Sequence, residues 1–131
     1  MSLPVEDVLA IQKLLADYNH AIDFGDADGF AGMFVEDGVL DTGHDPTEGR
    51  AGLKEFAAAL PGMVPGLRHL ISNVSIDGSG DTATTKAYLQ GWMTAGGAGE
   101  AKMIVCGVYR DELRREDGEW RFVTRSLTPD A

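Results

Sequence analysis

The chain changes character near residue 65, and this change restricts its possible folds more than any other feature. Before that point, apolar residues recur at spacings of three and four, which is typical of amphipathic helices. Beyond it, segments rich in β-branched and aromatic residues alternate with clusters of turn-forming residues that contain glycine. Helices followed by a long run of strands predict an α+β domain, with the helices packed on one face of a curved sheet.

The first half is expected to form helices and one short strand. Pro4 suits the first position of a helix, and Gly25 ends the apolar stripe that begins at Val8. Asp26 is placed to cap a second helix, and Pro61 followed by glycine is expected to end the third. The predicted segments are a helix over 4–25, a second helix over 26–34, a strand over 39–42 and a third helix over 49–60.

The second half is expected to form an antiparallel meander. Its links are "DGSGD" (77–81), "AGGAG" (95–99) and "EDG" (116–118), and short glycine-containing links of this kind join antiparallel strands. Because "AGGAG" lies between strands instead of opening a helix, it is interpreted as a turn and not as a phosphate-binding loop. The predicted strands cover 66–76, 82–95, 100–115 and 119–127.

Composition excludes several classes of partner. With 131 residues, 44% of them apolar, the chain can bury a core as one domain over 1–131. Its net charge of −10 argues against nucleic acid and anionic membranes as partners. There is no apolar run near the roughly 20 residues of a membrane span, and the first residues lack the features of a secretory signal. A cytoplasmic location is therefore expected, and the single cysteine, Cys106, fits a reducing compartment.

Asp23 stands out because it falls in the last turn of the first predicted helix. The negative end of the helix dipole repels a carboxylate there. A helical wheel places Asp23 at the edge of the apolar stripe beside Asn19, whereas His20 falls on the opposite, solvent-facing side. Partial burial and the dipole both destabilise a charged carboxylate unless a cation or hydrogen-bond donor compensates. Asp23 is therefore expected to have a partner.

The candidate partner is His69, in "GLRHLISN". An imidazole paired with a carboxylate is fixed in one tautomer, and its protonated form is stabilised, which suits a general base. Sequence spacing does not establish contact between the two, so a catalytic pair and two unrelated residues both remain open. Strand alternation places Leu67, His69, Ile71 and Asn73 on one face and Arg68, Leu70 and Val74 on the other.

No metal or cofactor is expected. "DADG" is similar to part of a calcium loop, but Phe24 and Val35 would occupy the first and twelfth ligand positions. The histidines show no close metal-ligand spacing, and Cys106 alternates with aliphatic residues as a packed side chain would.

Two pairs near the sheet have open interpretations. Tyr88 and Trp92 share a strand face and either line a pocket or form a subunit interface. Arg121 and Arg125 flank Val123 in the last strand, where surface salt bridges are the expectation and a clamp for a substrate carboxylate is the alternative.

Several segments together resemble a known family. The order Tyr18, Asp23, "GDADGFAGMFVEDGVLDTG", "RHLISN" and "DGEWRF" resembles the SnoaL-like branch of the nuclear transport factor 2-like superfamily. It is most similar to the scytalone dehydratase and hexachlorocyclohexane dehydrochlorinase group, and "VYRDELRREDGEWRF", which contains Tyr109, is similar to the last hairpin of the dehydrochlorinase. The resemblance implies a single SnoaL-like domain, a cone-shaped barrel of a curved, mostly antiparallel sheet whose N-terminal helices close an apolar pocket.

The resemblance also implies a chemistry. The group's catalytic Asp and His correspond to Asp23 and His69, which implies a cofactor-independent lyase, dehydratase-like or dehydrohalogenase-like, that removes a proton from a small hydrophobic substrate. Tyr18 aligns with the oxyanion-hole tyrosine of ketosteroid isomerases and is expected to donate a hydrogen bond to a developing oxyanion. The expected ligand is small and apolar, or polycyclic and aromatic. Relatives form dimers or trimers, so a homo-oligomer is expected.

The chain departs from the group's pattern at several positions. Ile22 replaces one tyrosine of scytalone dehydratase, Thr42 falls where its carbonyl-polarising tyrosine would be, and Met93 falls near its second histidine. The isomerase base also falls at Thr42, and Asp41 is one residue early, which turns its side chain to the other face. A ligand-binding module without catalysis, an isomerase and a protein-binding unit therefore stay as alternatives. The predicted substrate-binding residues are Thr42, Trp92, Met93 and Tyr109.

Overall fold

The computed structural model describes residues 2–94 and 99–130. Its helices precede the long strands, as predicted, and the "AGGAG" turn falls largely outside the described residues. Within the described ranges, no helix is both long and apolar enough to cross a membrane. The elements are α1 (Val5–Phe24), α2 (Ala27–Gly32), β1 (Phe34–Asp41), β2 (Thr47–Glu48), α3 (Gly49–Met63), β3 (Leu67–Ser79), β4 (Thr82–Met93), β5 (Lys102–Glu116) and β6 (Glu119–Pro129).

The strands form a sheet with the order β2-β1-β6-β5-β4-β3. Strands β3 to β6 are an antiparallel meander, and β1 joins β6 in parallel. The predicted α+β class with a curved, mostly antiparallel sheet is confirmed. The sheet stays open, with β2 and β3 as its edges. The β5–β6 turn has Asp117 and Gly118 at φ of 52° and 82°, the left-handed pair that a tight hairpin requires.

Two predicted boundaries are wrong for reasons of packing. Phe34 was expected to continue the second helix, but it begins β1 because it pairs with Phe122 of β6 and is fully buried there. The third helix continues through Pro61 to Met63. Gly25 has no Cβ, which leaves room for the Pro61 ring beside it. This packing stabilises a proline that sequence rules place after the helix.

A bulge changes the predicted alternation along β3. The pairing with β4 shifts between Ser72 and Ser75, and Asn73 has a φ of 54°. Asparagine adopts this left-handed conformation more readily than most residues, and the extra residue reverses the faces that follow it. Val74 therefore packs against the core as Ile71 does, and its predicted placement on the opposite face from Ile71 is wrong.

The N-terminus of α1 is attached to the β5–β6 hairpin through Asp7. Its carboxylate accepts hydrogen bonds from Arg115 Nη1 at 3.0 and 3.1 Å and from Trp120 Nε1 at 3.1 Å. Arg115 also donates to Asp81, which is exposed. Since Asp7 and Trp120 are buried, this contact attaches the first turn of α1 to the sheet from within the core.

Replacing Asp7 with alanine should destabilise the fold. The change leaves the buried Trp120 N–H without its acceptor, which costs about 1–3 kcal/mol of unfolding free energy. Urea denaturation monitored by tryptophan fluorescence measures the effect. Asp81→Ala is the matched control, because it removes only the exposed partner of Arg115 and should change the midpoint little. Equal effects of the two substitutions would contradict the role given to Asp7.

Candidate functional site

The C-terminal turn of α1 meets the first residues of β3 through Asp23 and His69. Asp23 Oδ1 lies 2.6 Å from His69 Nδ1, and Asp23 Oδ2 accepts a hydrogen bond of 3.0 Å from the His69 backbone N–H. The two side chains are only 6% and 10% exposed. Two donors therefore compensate the carboxylate that the helix dipole disfavours.

This contact defines the state of the imidazole. A carboxylate oxygen only accepts hydrogen bonds, so the ring nitrogen at 2.6 Å, Nδ1, carries the hydrogen. In the neutral ring, Nε2 then holds the free electron pair. The second bond, from the His69 backbone, prevents the carboxylate from rotating away. The pair is thus arranged to accept a proton at Nε2.

Glycines at both chain reversals position the pair. Gly25, with a φ of 71°, ends α1 in a left-handed cap, and the next residue also donates its N–H to Ala21. Asp23 is therefore held in the final turn, facing β3. Gly66 precedes β3, and its carbonyl accepts from both the backbone N–H and the hydroxyl of Thr94. These bonds fix the start of the strand that carries His69.

The pair lies in a cleft of about 490 Å³ between α1 and the edge strand β3. Pockets for small ligands usually measure about 300–1,000 Å³. Phe24 and Leu70 are 66% and 51% exposed at its mouth, and the Arg68 guanidinium lies 4.7 Å from the centre of the Phe24 ring. The lining residues are Ala16, Asn19, His20, Asp23, Phe24, Arg68, His69, Leu70 and Ile71.

A second cluster lies in the core around Arg125. Its side chain is fully buried, with Nε 3.2 Å from Asp111 Oδ1 and the guanidinium 3.5 and 4.2 Å from the ring centres of Tyr109 and Tyr18. Thr85 donates a hydrogen bond of 2.6 Å to the other Asp111 oxygen. The predicted surface salt bridge of Arg125 is wrong, because its acidic partner Asp111 is itself buried and the guanidinium packs against Tyr18 of α1.

Burial dominates the titration of this cluster. It raises the pKa of Tyr18 well above its ordinary value, and it raises the pKa of Tyr109 while Arg125 opposes the shift. Both hydroxyls therefore stay protonated at neutral pH, and a hydrogen bond between the two also contributes to the raised pKa of Tyr18. Burial also raises the pKa of Asp111, against the opposing effects of Arg125 and the Thr85 hydroxyl. The Asp23 carboxylate contributes to the raised pKa of Tyr109, so the cleft and the core cluster are in electrostatic reach of each other.

The other predicted site residues are dispersed. Met93 pairs with Leu67 and shares the face of His69, whereas Trp92 is on the opposite face and donates to Gln90 at 3.2 Å. Thr42 follows β1, which is separated from β3 by β6, β5 and β4 within the sheet. Their roles in substrate binding stay predictions.

The structure also places His20 and Arg121, for which the sequence predicts surface positions. His20 is exposed, as predicted, and Arg121 donates to exposed Glu119 at 2.8 Å, as expected of a surface pair. Among residues 2–94 and 99–130, no three His, Cys, Asp or Glu side chains are grouped as a metal site would need.

Sequence reasoning missed Asn19 as a site residue. It is 9% exposed and lines the cleft one helical turn before Asp23. Its signal was present in the sequence, since a polar residue beside an apolar stripe and four residues from a site carboxylate lies on the same helix face.

Helices packed on a curved, open sheet of this strand order are the architecture of a nuclear transport factor 2-like protein. The chain belongs to the SnoaL-like domain family, whose model matches residues 4–126. The predicted family resemblance is therefore confirmed.

Solved structures agree with this assignment. Rv3472 of Mycobacterium tuberculosis, a protein of unknown function, is 34% identical, with 95% of this chain and 72% of that one covered and a TM-score of 0.87. A Novosphingobium aromaticivorans protein provisionally named a scytalone dehydratase is 22% identical, with coverages of 97% and 86% and a TM-score of 0.84. LinA, a hexachlorocyclohexane dehydrochlorinase, is 20% identical, with coverages of 97% and 88% and a TM-score of 0.84. At such identities, the last two establish the fold alone.

Proposed function

We propose that the protein is a cofactor-independent lyase that removes a proton next to a carbonyl group of a small hydrophobic molecule. The observation that carries the proposal is the buried contact of Asp23 with His69 inside a cleft of ligand size. A module that only stores a ligand has no need for an imidazole whose free nitrogen is fixed by a carboxylate. A general base does, because its basicity and direction both depend on that partner.

The proposed reaction is a β-elimination. His69 Nε2 takes a proton from the carbon next to the carbonyl, and the C–H electron pair forms an enolate. The enolate then restores the carbonyl, a carbon–carbon double bond forms, and the bond from the β-carbon to hydroxide or halide breaks. The imidazolium, stabilised by Asp23, returns its proton to hydroxide to form water, or to solvent when halide leaves.

The tyrosines supply a donor for the oxyanion in this proposal. The Tyr18 hydroxyl is protonated but buried and already hydrogen-bonded to Tyr109, so it would donate to an enolate oxygen only in a substrate that reached the core. Tyr18 belongs to the core cluster and is not among the residues that line the cleft. The proposed function therefore rests first on Asp23 and His69, and the role of Tyr18 as a donor is secondary to theirs.

Incubation with matched cyclohexanones tests the proposal. We expect the protein to convert 3-hydroxycyclohexanone or 3-fluorocyclohexanone to cyclohex-2-enone, measured by ultraviolet absorbance and mass spectrometry. In deuterium oxide, cyclohexanone itself should gain deuterium next to its carbonyl, since this step needs the base but no leaving group. 3-Hydroxy-1-tetralone, which would give 1-naphthol, extends the panel to a bicyclic substrate.

The same panel separates the alternatives. Retention of the ketones without elimination or deuterium uptake would contradict the lyase and favour a binding module. Conversion of cyclohex-3-enone to cyclohex-2-enone, with no loss of hydroxide or fluoride from the other probes, would favour the isomerase. The expected homo-oligomer, the cytoplasmic location and the choice between dehydration and dehydrohalogenation stay predictions.

A further inference from the structure

Arg68 is an exposed cation at the mouth of the cleft, and it has no carboxylate partner among residues 2–94 and 99–130. Its guanidinium donates one hydrogen bond there, of 2.9 Å, from Nη1 to the backbone carbonyl of Leu67. Acidic side chains are abundant in this chain, with 21 Asp and Glu against 11 Lys and Arg. The other N–H groups of this guanidinium are therefore available to a ligand beside the candidate site.

An aromatic ring holds the guanidinium at the mouth. Its central carbon lies over the Phe24 ring, 4.7 Å from the ring centre, which is a cation–π distance. This contact restricts the long side chain of Arg68, so less conformational entropy is lost when a ligand binds to it. Phe24 and Leu70 are both exposed and give the mouth an apolar rim next to the charge. A ligand that matches this mouth has an apolar body and one anionic group.

The carboxylates near the cleft are already engaged. Asp23 is the acid among the described residues that line it, and both of its oxygens accept hydrogen bonds from His69. The preceding acid on α1, Asp17, pairs with Lys13 at 2.5 Å. Exposed charges more than about 8 Å away are largely screened at physiological ionic strength. An anion at the mouth therefore meets the positive charge of Arg68 in spite of the chain's net charge of −10.

We propose that Arg68 binds a carboxylate group of the substrate, so that the protein acts on ketones that carry an acid at the end remote from the reacting carbon. Arg68 immediately precedes His69, and both line the cleft, so one small molecule can meet the two residues at once. The planar guanidinium matches a carboxylate with two parallel hydrogen bonds. This inference rests on the proposed function and assigns its substrate class, the cyclic keto acids. The acid group takes no part in the elimination itself.

Two ketones of nearly equal shape test the inference. 3-Oxocyclohexane-1-carboxylate carries the charge, and 3-oxocyclohexane-1-carboxamide is its neutral counterpart. Titrations followed in ¹H–¹⁵N spectra measure both dissociation constants, including values in the millimolar range. The wild type should bind the carboxylate about 5- to 30-fold more tightly than the carboxamide, because a two-bonded pair inside a cleft exceeds a fully exposed ion pair. Raising the salt concentration should reduce this ratio.

Arg68→Gln removes the charge at similar length, and the ratio of the two affinities should fall to about one. Arg68→Lys should keep part of it, since an ammonium group supplies the charge without the planar pair of donors. Arg110→Gln is the matched control, because Arg110 is also exposed and does not line this cleft, and it should leave the ratio unchanged.

A purely structural role of Arg68 gives a different result. A cation near the C-terminal end of α1 would stabilise the helix dipole, so Arg68→Gln would melt at a lower temperature while the affinity ratio stayed at its wild-type value. Failure of the carboxylate to bind the wild type, a wild-type ratio near one, or a ratio that Arg68→Gln leaves unchanged overturns the inference.

The outcome is separable from that of the proposed function. In deuterium oxide, Arg68→Gln should raise the KM for deuterium uptake by the carboxylate and leave kcat unchanged. Preference for the carboxylate that depends on Arg68, with no deuterium uptake next to the carbonyl of either ketone, would support Arg68 as a recognition residue and overturn the lyase. Deuterium uptake with equal affinities for the two ketones would support the proton abstraction and overturn the role of Arg68.

Discussion

Replacing Asp23 with asparagine should leave the chain folded and reduce the kcat for an accepted ketone by about 10²- to 10⁴-fold. The asparagine oxygen can still accept from the His69 backbone N–H, so the contact between α1 and β3 persists. The amide nitrogen then faces Nδ1 and donates to it. This reverses the tautomer, because Nδ1 becomes the acceptor and Nε2 carries the hydrogen. The ring keeps its place and loses its capacity to take a proton.

Asp17→Asn is the matched control for this substitution. Asp17 is on the same helix and pairs with Lys13, but its side chain is 42% exposed and does not line the cleft. Its replacement should leave kcat unchanged. Steady-state rates, with circular dichroism spectra and melting curves of both variants, measure the comparison. Full activity in a folded Asp23→Asn variant would contradict the dyad mechanism.

The sequence predicts most of the fold because local patterns determine it. The stripe on α1, the Asp26 cap that accepts from Gly29 at 3.0 Å and the hairpin at Gly118 are all short-range features. The exceptions depend on distant residues. Phe34 leaves its helix for a partner in β6, and Asn73 reverses the alternation of β3 through a bulge that no periodicity shows.

The candidate site and the core cluster likewise contain one residue that a local preference reveals and one that only the packed sheet reveals. Asp23 was detectable because a carboxylate at a helix C-terminus violates an electrostatic preference, and a violation of a local preference often marks a site. Arg125 was not detectable, since its position in an alternating strand is compatible with either face. Only the packed sheet determines that this arginine is enclosed by Tyr18, Tyr109 and Phe122.

Removing that arginine should give the largest loss of stability. Arg125→Met leaves the Asp111 carboxylate in the core without its cation, and breaking one partner of a buried pair costs about 3–5 kcal/mol of unfolding free energy. The double variant Arg125→Met with Asp111→Leu removes both charges and should recover most of the loss, because an apolar pair of similar volume has no desolvation penalty. Urea denaturation of the single and double variants measures both effects.

The pH dependence gives an independent test of the same pair. Burial raises the pKa of Asp111 in the folded state above its unfolded value, so between the two values the folded chain holds more protons. The unfolding free energy therefore falls as pH rises through that window, which begins near pH 4, by up to about 1.4 kcal/mol per unit.

Loss of Arg125 removes the group that lowers the pKa of Asp111 most, so the difference between the folded and unfolded pKa values increases. Arg125→Met should therefore regain stability on acidification from pH 7 to 5. Adding Asp111→Asn to that variant removes the titrating group. The unfolding free energy should then change with pH only as much as the other titratable groups of the chain dictate. Denaturation midpoints at several pH values measure the slopes. Equal slopes with and without the Asp111 carboxylate would mean that another group carries the pH dependence and that the Asp111–Arg125 pair is not the electrostatic centre of this core.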